Sequence, residues 1–170
     1  TPGEHAIKIS GLATDYDDSD DGTGTIGGTL QFQANTLKTI NGSLSAIFPT
    51  AQNGKNACFA SVFNQQRYLT GEIPENLFAG FKTFTPYMFN STFAGCTGLT
   101  EIPAGLFAKL SGEPKRSMFD GTFYGCTGLT EIPDGLFASV TGAPAEYMFG
   151  YTFMNCTGIY GEILGDLFAG

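Results

Sequence analysis

Tryptophan is absent, histidine occurs once, at His5, and only eight side chains are Lys or Arg. Each scarcity removes a class of function. A lone histidine beside the start of the chain cannot supply a Ser/His/Asp or Cys/His nucleophilic set. Eight basic against sixteen acidic side chains leave a net charge of −8. Such a surface repels phosphate backbones and anionic lipid heads, so no nucleic acid partner is expected. No apolar run approaches the roughly 20 residues that span a bilayer, so no membrane insertion is expected either. The phosphate-cradling G-x-x-x-x-G-K-[ST] string and the dinucleotide fingerprint are both missing. No two cysteines form a C-x-x-C pair, which removes the usual zinc and thiol-redox motifs. Carboxylates are many, but none stands at a unique, non-repeated position. No catalytic residue is assigned, and the expectation is a non-enzymatic protein that needs no cofactor.

What the chain has instead is repetition. Glycine (24) and phenylalanine (16) are abundant among 170 residues. The string CTGLTEIP occupies 96–103 and again 126–133. Self-alignment gives copies at 58–87, 88–117, 118–147 and, in part, 148–170, with a weaker one at 37–57. A period of this size marks a solenoid, in which no unit buries its apolar face alone and stacked units share a core. Phe89, Phe93 and Cys96 stand at i, i+4 and i+7, as do Phe119, Phe123 and Cys126. That spacing predicts about two turns of helix, with Gly98 and Gly128 as left-handed caps. The LTEIP segment reads as a short extended stretch. Twelve phenylalanines fall in three columns, 59/89/119/149, 63/93/123/153 and 78/107/137/168. These are expected to stack as aromatic ladders. The cysteines recurring on that face read as buried free thiols.

The order F-x-G-C-T-x-L-x-x-I-P, present as FAGCTGLTEIP and FYGCTGLTEIP, resembles the BspA-like class of bacterial leucine-rich repeats. The resemblance covers 58–170 well and 37–57 weakly. It implies a right-handed α/β solenoid with short parallel strands on the concave side and short helices on the convex side. It also implies adhesion or binding at a bacterial cell surface, hence an extracellular location. Residues 1–36 do not repeat and alternate like strands, which suits a β-rich cap over the first unit. No comparable cap closes the other end, so the chain is expected to be a piece of something longer.

Two acidic features are the candidate sites. Glu72, Glu101, Glu131 and Glu162 occupy one slot, just before the inward Ile. On a strand they point away from the core, onto the concave sheet. Carboxylates about 4.8 Å apart repel by roughly 0.9 kcal/mol even in water. The functional reading is a strip for a basic partner or a cation. The bland one is a tolerated, screened ladder duplicated along with its repeats. The turn carrying Asp15, Asp17, Ser19 and Asp21 has the oxygen spacing that opens a calcium loop, but Gly28 stands where a bidentate Glu is required. It reads as a solvated acidic turn, with Ca2+ binding as the alternative. The divergent positions add Tyr87, Tyr124, Tyr147, Tyr151 and Tyr160, which could form a rim of amphipathic contacts. The reading is a non-catalytic binding module for a protein partner. Its rivals are a structural spacer and a calcium-dependent glycan-binding module.

Overall fold

The computed structural model describes residues 32, 36–46, 58–160 and 167. The proposed 1–36 cap therefore lies outside the described residues, apart from Phe32 and Thr36. Successive copies pack on one another in register, and the backbone shows how. Over 86–95 the chain runs through consecutive turns rather than a helix. The N–H groups of Phe89, Ser91, Phe93 and Gly95 donate to the carbonyls of Met118, Asp120, Thr122 and Tyr124 in the next copy, at 2.7–2.9 Å. The residues between them, Asn90, Thr92, Ala94 and Cys96, donate three residues back within their own copy, at 3.0–3.2 Å. Every N–H of the segment is thus satisfied, half of them across copies. Phe119, Gly121, Phe123 and Gly125 repeat the pattern toward Met148, Gly150, Thr152 and Met154.

This corrects the expectation of helices. An α-helix sends every N–H to the carbonyl four residues back and needs right-handed dihedrals throughout. Here every fourth residue is left-handed: Tyr87 (φ 56°), Ser91 (54°) and Gly95 (72°), then Ser117 (49°), Gly121 (62°) and Gly125 (68°). A four-residue turn returns the chain to the same face, so it places Phe89, Phe93 and Cys96 inward as well as a helix would. The only helix among the described residues is a 3-10 turn, Leu44–Ala46. Extended pairing is also sparse there. It consists of two isolated parallel bridges, Thr83 with Ser111 and Gly112 with Val140. Most cross-copy hydrogen bonds run along the turn segment; at the equivalents of the LTEIP segment they run from Thr70 and Gly71 to the Lys38 carbonyl, at 3.1 and 3.2 Å, and from Tyr160 to that of Thr130, at 3.4 Å.

The recurring glycine of CTG also has a different reason from the one its sequence suggests. Gly98 and Gly128 are not left-handed. A Cβ there would stand 2.8 Å from the Arg67 carbonyl oxygen and 2.6 Å from that of Thr97 respectively. Both belong to the preceding copy. Glycine is needed because neighbouring backbones approach too closely for a side chain.

Phenylalanine fills the interior in the three expected columns. Along 59, 89, 119 and 149 the ring centroids are 5.6, 5.4 and 5.4 Å apart. Along 63, 93, 123 and 153 they are 5.3, 5.5 and 5.5 Å apart. Phe78, Phe107 and Phe137 form the third, at 6.0 and 5.9 Å. The first and third columns mesh at tilted angles, as where Phe119 meets Phe107 and Phe137 at 4.8 Å each. Such pairs are worth about 0.5–1.5 kcal/mol beyond burial. Phe32 heads the second column, stacked on Phe63 at 5.5 Å.

Polar side chains lock one copy to the next. The hydroxyls of Thr92, Thr122 and Thr152 donate to the carbonyls of Phe59, Phe89 and Phe119 at 2.8, 2.9 and 3.0 Å. The thiols of Cys96, Cys126 and Cys156 donate to those of Phe63, Phe93 and Phe123 at 3.1, 3.1 and 3.0 Å. The first copy has Gln66 in the cysteine slot, fully buried. Its amide donates to the Phe32 carbonyl at 2.6 Å and accepts from the Leu37 N–H at 3.2 Å. Gln66 therefore does the thiol's work with a longer reach.

Candidate binding surface

With Phe, Thr and Cys absorbed by the frame, the outward positions remain. Leu69, Leu99 and Leu129 are buried, as are Ile73 and Ile102, while Ile132 is half-buried. Between them Glu72, Glu101 and Glu131 are exposed. Thr100 and Thr130 are exposed as well. Two successive outward side chains are not strand alternation; the segment bulges outward between two apolar anchors. Glu162 lies outside the described residues, as do Asp15, Asp17, Ser19 and Asp21. Among the described residues no group of three His, Cys, Asp or Glu side chains could hold a metal ion. No described helix is long and apolar enough to cross a membrane.

The cysteines offer no nucleophile. All four are buried and free. Burial pushes the Cys58 and Cys96 thiols up to about 12. It raises Cys126 and Cys156 too, and Cys126 is raised further by its neighbours Cys96 and Cys156. Reactive thiols need the opposite shift.

The tyrosines are the more distinctive outward group. Tyr68, Tyr124, Tyr147, Tyr151 and Tyr160 are all exposed, and Met154 joins them. Three columns of left-handed residues run across the copies on the turn segment: 87/117/147, 91/121/151 and 95/125/155. Two of these columns end in an aromatic side chain, Tyr147 (φ 53°) and Tyr151 (φ 52°). A left-handed backbone costs an L-residue roughly 1–2 kcal/mol; the Tyr147 column elsewhere holds Tyr87 and Ser117, and the Tyr151 column holds Ser61, Ser91 and Gly121. The rings recover little by burial, since Tyr147 is 62% and Tyr151 66% exposed. The Tyr124 hydroxyl accepts a hydrogen bond from the Asn155 side-chain amide, at 3.0 Å.

Tyr87 differs from its equivalent Tyr147. It is half-buried, and the Arg116 guanidinium lies over its ring, 5.8 Å from the centroid. Arg116 also pairs with Glu146 at 3.6 Å, so Tyr87, Arg116 and Glu146 tie three successive copies together. Exposure and divergence point to the tyrosines in the sequence; nothing in it pairs Arg116 with Tyr87. Compared with protein-family models, with curated proteins and with solved structures, the chain matches none.

Proposed function

We propose that the chain is a non-catalytic binding module of a bacterial cell-surface protein, recognising a protein partner through its repeat surface. In this reading the copies form a leucine-rich-repeat solenoid of the BspA-like kind, and the protein acts outside the cell. The observation that carries the reading is the division of labour inside each copy. The recurring Phe and Cys side chains and Thr92, Thr122 and Thr152 are buried or half-buried, whereas divergent side chains such as Tyr124, Tyr151 and Met154 face solvent. A frame of that kind presents several weak contacts in fixed spacing, and their effects multiply when one partner spans them. The exposed Glu72, Glu101 and Glu131 favour a partner of positive charge.

The test is to display the chain on yeast and sort a random ten-residue peptide library against it. Saturable enrichment of basic peptides is expected. Combining Glu72→Gln, Glu101→Gln and Glu131→Gln removes three charges and should weaken the enriched peptides about fivefold or more, if each charge contributes roughly 0.3–1 kcal/mol. Enrichment no greater than on cells lacking the chain would favour the spacer reading instead.

A further inference from the structure

We infer that Asn41–Gly42 is a site of spontaneous covalent modification, where the Asn41 side-chain amide is lost and an aspartyl or isoaspartyl residue is left. The inference is independent of the protein-partner reading above. The pair stands in the weak first copy, where Ile40 and Leu44 repeat the spacing of Ile73 and Leu77. In that register Asn41 takes the slot that Pro74, Pro103 and Pro133 fill later. The chain is pinned to the next copy on both sides of the pair. The Lys38 carbonyl accepts from the Thr70 and Gly71 N–H groups at 3.1 and 3.2 Å, and the Leu44 N–H donates to the Leu77 carbonyl at 2.9 Å. The Ser43 hydroxyl donates to that same carbonyl at 3.2 Å. Between these pins Asn41 and Gly42 are exposed, and among the described residues the Gly42 N–H donates no hydrogen bond. Gly42 has φ of 92°, and no atom lies within 4 Å of the place a β-carbon would take. Its nitrogen is therefore unshielded.

The reaction needs only the chain and water. The Gly42 nitrogen attacks the Asn41 side-chain carbonyl carbon; a bond forms between them and the bond from that carbon to Nδ2 breaks. Nδ2 leaves as ammonia, carrying the proton that the Gly42 nitrogen gives up. The resulting five-membered imide takes up water at one of its two carbonyls. Opening at the side-chain carbonyl gives aspartate. Opening at the main-chain carbonyl gives an isoaspartyl link, which lengthens the backbone by one carbon between the two pins. Either product adds one negative charge to the net −8, beside the segment that carries Glu72. What singles out Asn41 is the state of the N–H that follows it. A nitrogen held by a hydrogen bond in a fixed turn reaches the side chain only after local opening. Gln65 after Asn64, Leu77 after Asn76, Ser91 after Asn90 and Cys156 after Asn155 all donate hydrogen bonds, at 2.7, 2.9, 2.9 and 3.2 Å. Asp120–Gly121 has the same small second residue, yet its Gly121 N–H is given to the Gly150 carbonyl at 2.6 Å.

The experiment ages the intact chain at mildly alkaline pH and body temperature, in buffer and in concentrated urea. Peptide mapping by mass spectrometry follows each asparagine through the gain of about 1 Da that marks loss of the amide. Conversion at residue 41 in buffer should run within about threefold of its rate in urea, whereas Asn90 should be slowed more than about tenfold by folding. The tryptic peptide 39–55 also holds Asn53–Gly54, a pair outside the described residues, so fragment ions assign the gain to its residue. Asn41→Gln lengthens the side chain and disfavours the ring. It should remove the share at residue 41 and leave the melting temperature unchanged. Asn41 intact in buffer while it converts in urea would overturn the inference. So would a gain in peptide 39–55 confined to residue 53, or conversion of Asn41 in buffer no faster than that of Asn90.

Discussion

Replacing Phe119 by Ala is expected to destabilise the protein by about 3–5 kcal/mol, the largest loss of any single core change. Phe119 is fully buried and meets five other rings. Phe89 and Phe149 stack on it at 5.4 Å, Phe107 and Phe137 tilt against it at 4.8 Å, and Phe84 meets it edge-on at 5.9 Å. Truncation removes all five contacts and leaves a cavity that the hydrogen-bonded ladder on either side cannot collapse. In a stack whose contacts run mainly between neighbouring copies, a weakened middle copy also uncouples the two ends. Urea unfolding followed by tyrosine fluorescence should therefore show a lower midpoint and a broadened or two-step transition. Phe153→Ala is the internal control. That ring is half-buried, and its loss should cost clearly less. A cost below about 1 kcal/mol for Phe119→Ala would mean that the columns are not what holds the copies together.

The second large effect is alkaline instability. Cys58 and Cys96 are held up to about 12 by burial, from a reference of 9.0, and Cys126 is raised further still. These three are fully buried. The folded-state value is raised, so the stabilisation is complete below about pH 9 and is lost as pH climbs from there toward the folded-state values. In that window the unfolded chain has released protons that the folded chain retains, and each thiol contributes a slope of a little over 1 kcal/mol per pH unit. Three together give roughly 4 kcal/mol per pH unit near pH 10–11. Tyrosine and lysine titrate in the same range, so the comparison is with a Cys58→Ser, Cys96→Ser, Cys126→Ser variant. Serine keeps a donor for the Phe63 and Phe93 carbonyls but does not ionise there. Its stability should be flatter with pH than that of the parent, even if lower at pH 7. Identical pH profiles for the two proteins would remove the thiols from the account.

Much of the frame was legible in the sequence because its period is written in large apolar residues. The phenylalanine columns and the buried thiols needed only the 30-residue alignment. The helices were misread because i, i+4, i+7 spacing is shared by an α-helix and by a chain of four-residue turns. The discriminating signal was present in the small or permissive residues at every fourth position, Ser91, Gly95, Ser117, Gly121 and Gly125, though Tyr87 in the same series obscures it. Gly98 and Gly128 looked like caps, since sequence cannot separate a left-handed glycine from one that yields space to a neighbouring backbone. Phe32 and Gln66 escaped notice because each breaks the pattern whose role it continues. At the surface, Glu72, Glu101 and Glu131 were picked out correctly as outward residues, although by a strand argument that does not apply. The pairing of Arg116 with Tyr87 and Glu146 spans three copies, and no local pattern announces it.

The 30-residue copies stack because the turn segments at 59–65, 89–95 and 119–125 give alternate N–H groups to the next copy. Scalar couplings through hydrogen bonds, measured by NMR on labelled protein, test this directly. The account predicts couplings from the Phe89 nitrogen to the Met118 carbonyl carbon and from the Phe119 nitrogen to that of Met148, across bonds of 2.8 and 2.9 Å. Couplings from Phe93 and Cys96 to the carbonyls four residues before them, with none across copies, would show a helical unit and contradict it.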